Sequence, residues 1–342
     1  VAALHNVKFV DHHDVTAPTV MARDRVTGVL LTNRDTGERT ALNADLVVDA
    51  MGRGARTPAF LETLGYGRPA EQRSVTNWAY SSQLLCIPAG AIAEKMVMIS
   101  PGKGLPRAAL LAYENDTWIL TVGPSAADGE PPTNFAGMLS LAERCMPRAM
   151  LTGLRSAQPL GDVAIFRNTL GVWRRYDRMP QFPAGLLVIG DALCSLNPIY
   201  GQGMTMAALE ALALQEYLRD GSEEPQRFFR AAARHIGPAW AMNQSNDRVP
   251  SSVGRRRSPR TRLMIWTMNK ARKAAERDIV LTERFYRVAS LVDPPTRLLD
   301  PALVARVIVG NLRRRRFSSS TRRSWCTAVR LTRRRVARAV AR

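Results

Sequence analysis

The segment from Gly185 to Glu210 constrains this chain more than any other. Leu186–Ile189 is a short continuous apolar run, the pattern of a strand buried on both faces. Gly190-Asp191 follows, where an α/β sheet presents its ligand-binding edge. A loop with Asn197, Pro198, Gly201 and Gly203 then opens a helix rich in Met, Ala and Leu. A carboxylate only accepts hydrogen bonds, so Asp191 at the strand end suits ligand hydroxyls. The glycines let backbone approach a ligand closely, and the helix N-terminus supplies unpaired N–H groups with positive potential. The parts predict a seat for a polyhydroxylated, anionic cofactor.

This string resembles the second flavin signature of FAD-dependent monooxygenases and reductases of the para-hydroxybenzoate hydroxylase type. The resemblance implies that Asp191, after Gly190, binds the ribityl chain of FAD. It implies that Pro198, Gly201, Gly203 and Met204 sit against the flavin ring. Asp49-Ala-Met-Gly52-Arg-Gly54-Ala-Arg56 resembles the family's middle signature, often written Asp-Gly-x-x-Ser-x-x-Arg. That places Gly52 and Arg56 near the cofactor pyrophosphate. The match is partial, because Ala50 replaces the glycine and Arg53 stands where the serine would be. The family also opens with Gly-x-Gly-x-x-Gly, which this sequence does not contain. The expectation is an α/β chain with an FAD/NAD(P)-binding, Rossmann-like domain that is N-terminally incomplete, and weak or no FAD binding as a consequence.

The resemblance implies FAD as cofactor and NAD(P)H as electron donor. The substrate class is a hydrophobic or aromatic small molecule, with O2 as co-substrate and oxygen delivered through a flavin hydroperoxide. Such chemistry belongs to the cofactor, which agrees with the absence of a conspicuous acid–base pair. Two other readings stand beside it. One is a flavin-dependent isoprenoid reductase of the geranylgeranyl type, whose substrate signature is not visible. The other is a non-catalytic remnant that keeps the sheet and lacks FAD.

The 342 residues suffice for two domains with sizeable cores. The expected organisation is a partial FAD-binding domain at 1–72, an inserted antiparallel-sheet substrate domain at 73–183 and a return segment at 184–222. A C-terminal helical region at 223–312 and a basic tail at 313–342 complete it. Within the insert, Val75–Tyr80, Leu84–Ile87, Met96–Ile99, Ala108–Ala112 and Trp118–Val122 read as strands. Trp78, Tyr80, Tyr113 and Trp118 fall on or beside them, most as core residues. Val26–Thr32 and Leu46–Val48 read as earlier strands, and Phe60–Gly65 and a stretch from Pro131 as helices. Trp173–Arg178 reads as a solvated connector rather than a phosphate-holding cluster. Phe228, Phe229, Ala232 and Ile236 form one helical stripe, and Asp293-Pro-Pro295 and Asp300-Pro301 break the later helices.

His5, His12, His13 and His235 are too scattered for a metal site, so none is expected. Cys86, Cys145, Cys194 and Cys326 lack disulfide-scaffold spacing, and no run approaches the ~20 apolar residues of a membrane span. Both fit a cytoplasmic protein with no membrane span. The net charge of +20 is uneven: residues 1–250 hold 24 Lys/Arg and 24 Asp/Glu, and residues 251–342 hold 25 and 5. No specific nucleic-acid partner follows from a neutral front. The last 30 residues, with twelve arginines and no acid, read as a disordered tail or solvated basic helix able to hold anions non-specifically. A GC-rich gene read out of frame produces the same composition.

Overall fold

The computed structural model describes residues 4–21, 24–75, 79–99, 104–125, 128–167, 170–247, 270–271, 274–275 and 278–317. The chain divides into two compact units, one holding 1–74, 170–253 and 287–295, the other holding 75–169, 254–286 and 296–342.

The first unit opens with an antiparallel sheet, β1 (His13–Met21), β2 (Arg25–Asn33) and β3 (Arg39–Asn43), with β2 in the centre. Pro18 lies on β1, an edge strand, where a missing N–H is tolerated. The chain continues into β4 (Val47–Asp49), α1 (Thr57–Thr63) and β5 (Glu71–Val75). In the second unit, β6 (Tyr80–Cys86), β7 (Met96–Ile99), β8 (Arg107–Ala112) and β9 (Thr117–Gly123) follow, then α2 (Phe135–Glu143), α3 (Arg148–Arg155) and β10 (Gln158–Phe166). The first unit resumes with β11 (Leu170–Arg174), β12 (Leu186–Val188), β13 (Cys194–Ser195), α4 (Gly203–Arg219) and α5 (Pro225–Asp247). Helices α6 (Ile279–Ala289) and α7 (Pro301–Phe317) come last.

In the first unit β12 pairs in parallel with β4, Leu187 opposite Val48. Leu186, Leu187 and Val188 are all buried, as a continuous apolar run requires. They join a core with Phe228, Phe229, Ala232 and Ile236, one face of α5. The turn into β12 is tightly constrained. Gly185 has φ +74°, and a Cβ there would stand 2.2 Å from the Val26 carbonyl oxygen. Its own carbonyl accepts the Val47 N–H at 2.8 Å. Gly185→Ala is therefore expected to lower stability by at least about 2 kcal/mol, from the left-handed backbone and the overlap together. A urea midpoint equal to that of the parent would show that the β2–β12 approach relaxes freely.

The second unit carries a five-stranded antiparallel sheet in the order β10-β6-β9-β8-β7. Its buried side packs Leu85, Val97, Leu110, Trp118 and Leu120 against Met138 and Ala142 of α2 and Met150 and Leu154 of α3. Asn134 caps α2 by accepting the Gly137 N–H at 2.9 Å.

Several expectations need correction. Leu84–Ile87 is not a separate strand, since β6 starts at Tyr80 and buries Ser81, Ser82, Gln83 and Leu85 while Leu84 is exposed. Of the expected strand Val75–Tyr80, Val75 ends β5, which pairs with β11, and Tyr80 starts β6, while 76–78 lie outside the described residues. Trp118 is buried and Tyr80 stacks on Phe166 at 5.0 Å, whereas Tyr113 is exposed. Trp78 lies outside the described residues. Trp173–Arg178 is no solvated connector. Trp173, Arg175 and Tyr176 are buried, because β11 turns directly into the aromatic cluster of Tyr176, Phe182 and Phe229. Helix α7 continues through Arg313 to Phe317, past the expected tail boundary, as arginine favours helix. Residues 318–342 and Arg255–Arg262 lie outside the described residues.

Candidate functional site

The site is built where β12 ends. Val188 leads through Ile189 into a 3-10 turn, Gly190–Ala192, with Gly190 at φ +64°. The Ile189 N–H bonds to the Asp49 carbonyl at 2.9 Å, which ties this turn to the end of β4. From β4 a second 3-10 turn, Gly52–Gly54, comes alongside, and Gly52 has φ +71°. Asp49 itself is buried and works inside the turn. One carboxylate oxygen accepts the Met51 N–H at 2.8 Å, and the other accepts the Thr57 hydroxyl at the start of α1.

Arg53 joins the two turns. Its Nε stands 3.4 Å from Asp191 Oδ2, and its Nη2 donates to the Leu196 carbonyl at 3.0 Å. The Asp191 side chain remains 43% exposed, so its carboxylate faces solvent with acceptor capacity to spare. Arg56, which the resemblance places near the cofactor pyrophosphate, lies apart from Asp191. It precedes α1, and its guanidinium lies over the Phe60 ring at 5.7 Å.

Downstream, the Asn197 side chain accepts the Ile199 N–H at 3.2 Å and starts a third 3-10 turn, Pro198–Tyr200. Gly201 ends it in the left-handed conformation, and Gly203 begins α4. Buried Gln202 anchors the loop by donating to the Ala289 carbonyl at 2.6 Å. Among the described residues no side chain caps the N-terminus of α4, so its first N–H groups stay open to a ligand. Met204 is 88% exposed there, an apolar side chain with no packing of its own. A Cβ added at Gly52, Gly190, Gly201 or Gly203 would meet nothing within 4 Å among the described residues, so the backbone at all four faces open space.

Two residues at the site escaped the sequence reading. Glu210, on the second turn of α4 inward from this loop, is completely buried. Its Oε2 accepts the Gly190 N–H at 2.5 Å, and its Oε1 has no hydrogen-bond partner among the described residues. Burial pushes its carboxyl up to about 8, against the Gly190 hydrogen bond and helped by the nearby charge of Asp191. Burial also pushes the Cys194 thiol well up, with Glu210 and Asp191 adding to the effect. Arg174 is the second. Its guanidinium donates to the Ala192 carbonyl at 2.8 Å and the Arg53 carbonyl at 3.0 Å, locking the Gly190 and Gly52 turns together. A glutamate in an otherwise apolar helix was the signal for the first. Nothing in the local pattern separated Arg174 from a surface arginine.

Among the described residues no group of three or more His, Cys, Asp or Glu is placed to hold a metal ion. No helix among them is long and apolar enough to cross a membrane.

No protein-family model matches the chain. Protein Rv3254 of Mycobacterium tuberculosis is 36% identical over 348 aligned positions, covering 95% of this chain and 72% of that protein. The chain belongs to the Rv3254 family. Among solved structures, this Rv3254-family chain shares its fold with a flavoprotein/dehydrogenase from Cytophaga hutchinsonii. That likeness is 12% identical, covers 90% of this chain and 69% of the other, and has a TM-score of 0.54. It also shares the fold of p-nitrophenol 4-monooxygenase PnpA from Pseudomonas putida DLL-E4, at 14% identity, 82% and 67% coverage and a TM-score of 0.54.

Proposed function

We propose that this protein is an FAD-dependent oxidoreductase, a monooxygenase of the hydroxylase or epoxidase kind. Its proposed substrates are a hydrophobic or aromatic small molecule and O2, with NAD(P)H as electron donor. The observation that carries the reading is the half-exposed Asp191 carboxylate at the end of β12, set between open glycine backbone and the uncapped start of α4. The two solved relatives in fold, a flavoprotein/dehydrogenase and a nitrophenol monooxygenase, support the same class.

The residues fit the group. A ribityl chain needs an acceptor for its hydroxyls, and Asp191 offers one. Its ion pair with Arg53 is long and solvated, so replacing it by ligand hydroxyls costs little. The isoalloxazine ring needs close backbone and an apolar neighbour, and Gly201, Gly203 and Met204 provide both. The positive end of α4 would stabilise negative charge on the reduced ring. Gly52 leaves room for the cofactor's phosphates beside the Arg53 turn, whereas Arg56 would have to leave Phe60 to reach them. The chemistry that FAD supplies when bound is acceptance of two electrons from NAD(P)H and activation of O2. The protein's own part is to hold the cofactor, set its electrostatics and exclude water from the reacting face.

FAD titrated into the chain should give saturable quenching of flavin fluorescence. Asp191→Ala should weaken that binding about ten- to a hundredfold, the loss of one charge-assisted hydrogen bond of about 1.5–3 kcal/mol. An unchanged affinity in the variant would remove the flavin reading.

A further inference from the structure

The small sheet β13-β11-β5 has two unlike faces. Trp173 and Cys194 point into the core, Trp173 meeting Trp240 with ring centroids 6.0 Å apart. The alternate positions, Glu71, Arg73, Val172, Arg174 and Ser195, instead line a cleft of about 290 Å³, which Arg53 closes on one side. A sheet face this polar, beside a buried apolar one, is not accounted for by packing.

The cleft is built around fixed cations. Arg174 has only 11% of its side chain exposed, and two backbone carbonyls hold its guanidinium. Its Nε lies 3.4 Å from Glu71 Oε1. The other oxygen of Glu71 accepts Nε and Nη2 of Arg73 at 3.0 and 2.7 Å. Arg53 spends Nε on Asp191 and Nη2 on the Leu196 carbonyl. The Nη1 groups of Arg53 and Arg73 are uncommitted among the described residues. Ser195 Oγ accepts the Val172 N–H at 3.3 Å, which leaves the hydroxyl proton to donate elsewhere. The lining therefore offers three guanidinium groups and a hydroxyl against one carboxylate. Asp191 beside Arg53 adds a second carboxylate at its edge, so the net excess is one.

We propose that this cleft is a phosphate subsite, taking the phosphate group of a small nucleotide-like ligand. Guanidinium forks match phosphate oxygens in geometry, and a phosphate monoester carries close to two negative charges at neutral pH. Three guanidinium groups also present more N–H donors than the two oxygens of a carboxylate can take, which favours the additional oxygens of a phosphate. Leu170 and Val172 supply the apolar part of the lining. The subsite shares Arg53 with the Asp191 site and otherwise stands on the sheet face.

Isothermal titration of the full chain at low salt, with 2′-AMP and ADP as probes, tests it. At least one nucleotide should bind saturably, and Arg73→Gln should weaken it about tenfold. Arg73 is 64% exposed on its side chain, so the substitution leaves the fold intact. Arg155→Gln removes one charge from an exposed arginine of the other unit and should change the affinity less than twofold. Arg73→Lys keeps the charge without the fork and should recover part of the loss. Preference for 2′-AMP assigns the subsite to a phosphate monoester, and preference for ADP to a diphosphate. Equal weakening by Arg73→Gln and Arg155→Gln would mean that the overall positive charge binds nucleotides and would overturn the subsite. So would benzoate binding as tightly as the nucleotides, or no binding at all. FAD titrated into Arg73→Gln reports on the flavin reading separately, because that reading fails through Asp191.

Discussion

Asp177→Ala is expected to destabilise the protein by about 3–5 kcal/mol, a large fraction of a typical domain's stability. Arg175 and Asp177 form a forked ion pair with contacts of 2.8 and 2.5 Å, and their side chains are only 8% and 11% exposed. The Arg175 guanidinium also lies 3.9 Å above the Trp173 ring. Its backbone N–H holds Ala70 next to β5 at 2.8 Å. Removing the carboxylate leaves a buried cation whose remaining compensation is an aromatic face, which is worth only about 1–2 kcal/mol. The pair as a whole is another matter, since taking two ions out of water offsets most of their attraction. Arg175→Met with Asp177→Leu should therefore be milder than Asp177→Ala alone. Urea unfolding of the three proteins measures the order. A loss below about 1 kcal/mol for Asp177→Ala would mean that Arg175 swings out to water and that the pair behaves as a surface pair.

This pair also shows where the sequence was hard to read. Trp-Arg-Arg-Tyr-Asp-Arg has the composition of a solvated turn, and the period-two alternation of β11 is visible only when Trp173 and Gly171 are known to face inward. Burial of arginine depends on a partner two residues on and an aromatic neighbour, and local pattern cannot separate that from a surface run. By contrast, β12 and the Phe228–Ile236 stripe of α5 were legible. Their apolar positions have unambiguous spacing, and the fold buries every one of them. Strand β10 was not legible because it is an edge. Most of its positions are exposed, Pro159, Gly161 and Asp162 interrupt any apolar alternation, and a bulge between Leu160 and Ala164 breaks its register.

The site divides in the same way. Gly190, Asp191, Gly201 and Gly203 stand where their order predicts, because glycine and a strand-end acid leave few other geometries. The Gly52 turn was legible as backbone. Which arginine would reach inward was not. Arg53, the departure from the motif, takes Asp191, and the retained Arg56 turns to Phe60. Side-chain direction within a three-residue turn depends on φ at Gly52, and that is a property of the fold rather than of the residue type.

Glu210→Gln should flatten the pH dependence of stability between about pH 5 and 8.5. In the folded chain burial holds the Glu210 carboxyl up to about 8, whereas a solvated glutamate titrates near 4.5. Between those values the folded state keeps a proton that the unfolded state has released. Folded protein then binds more protons, and stability falls as pH rises. The loss begins near the unfolded value and is complete above the folded one. Its upper bound is about 5 kcal/mol, since each tenfold change in proton affinity is worth roughly 1.4 kcal/mol. Glutamine keeps an acceptor for the Gly190 N–H, so the turn that carries Asp191 stays in place. It cannot ionise, so the decline disappears. Near pH 5.5 the variant should match the parent or fall slightly below it, because an amide N–H₂ finds no better partner than Oε1 had. By pH 8.5 it should be the more stable protein by a few kcal/mol. Glu210→Ala separates the two roles, since it abolishes the titration and also orphans the Gly190 N–H. It should lose stability at every pH while sharing the flat profile. Guanidinium unfolding at pH 5.5, 7 and 8.5 distinguishes the three curves. Parallel slopes for parent and Glu210→Gln would show that the carboxyl reaches water in solution and that the Gly190 turn is held by Arg174 and the β4–β12 pairing alone.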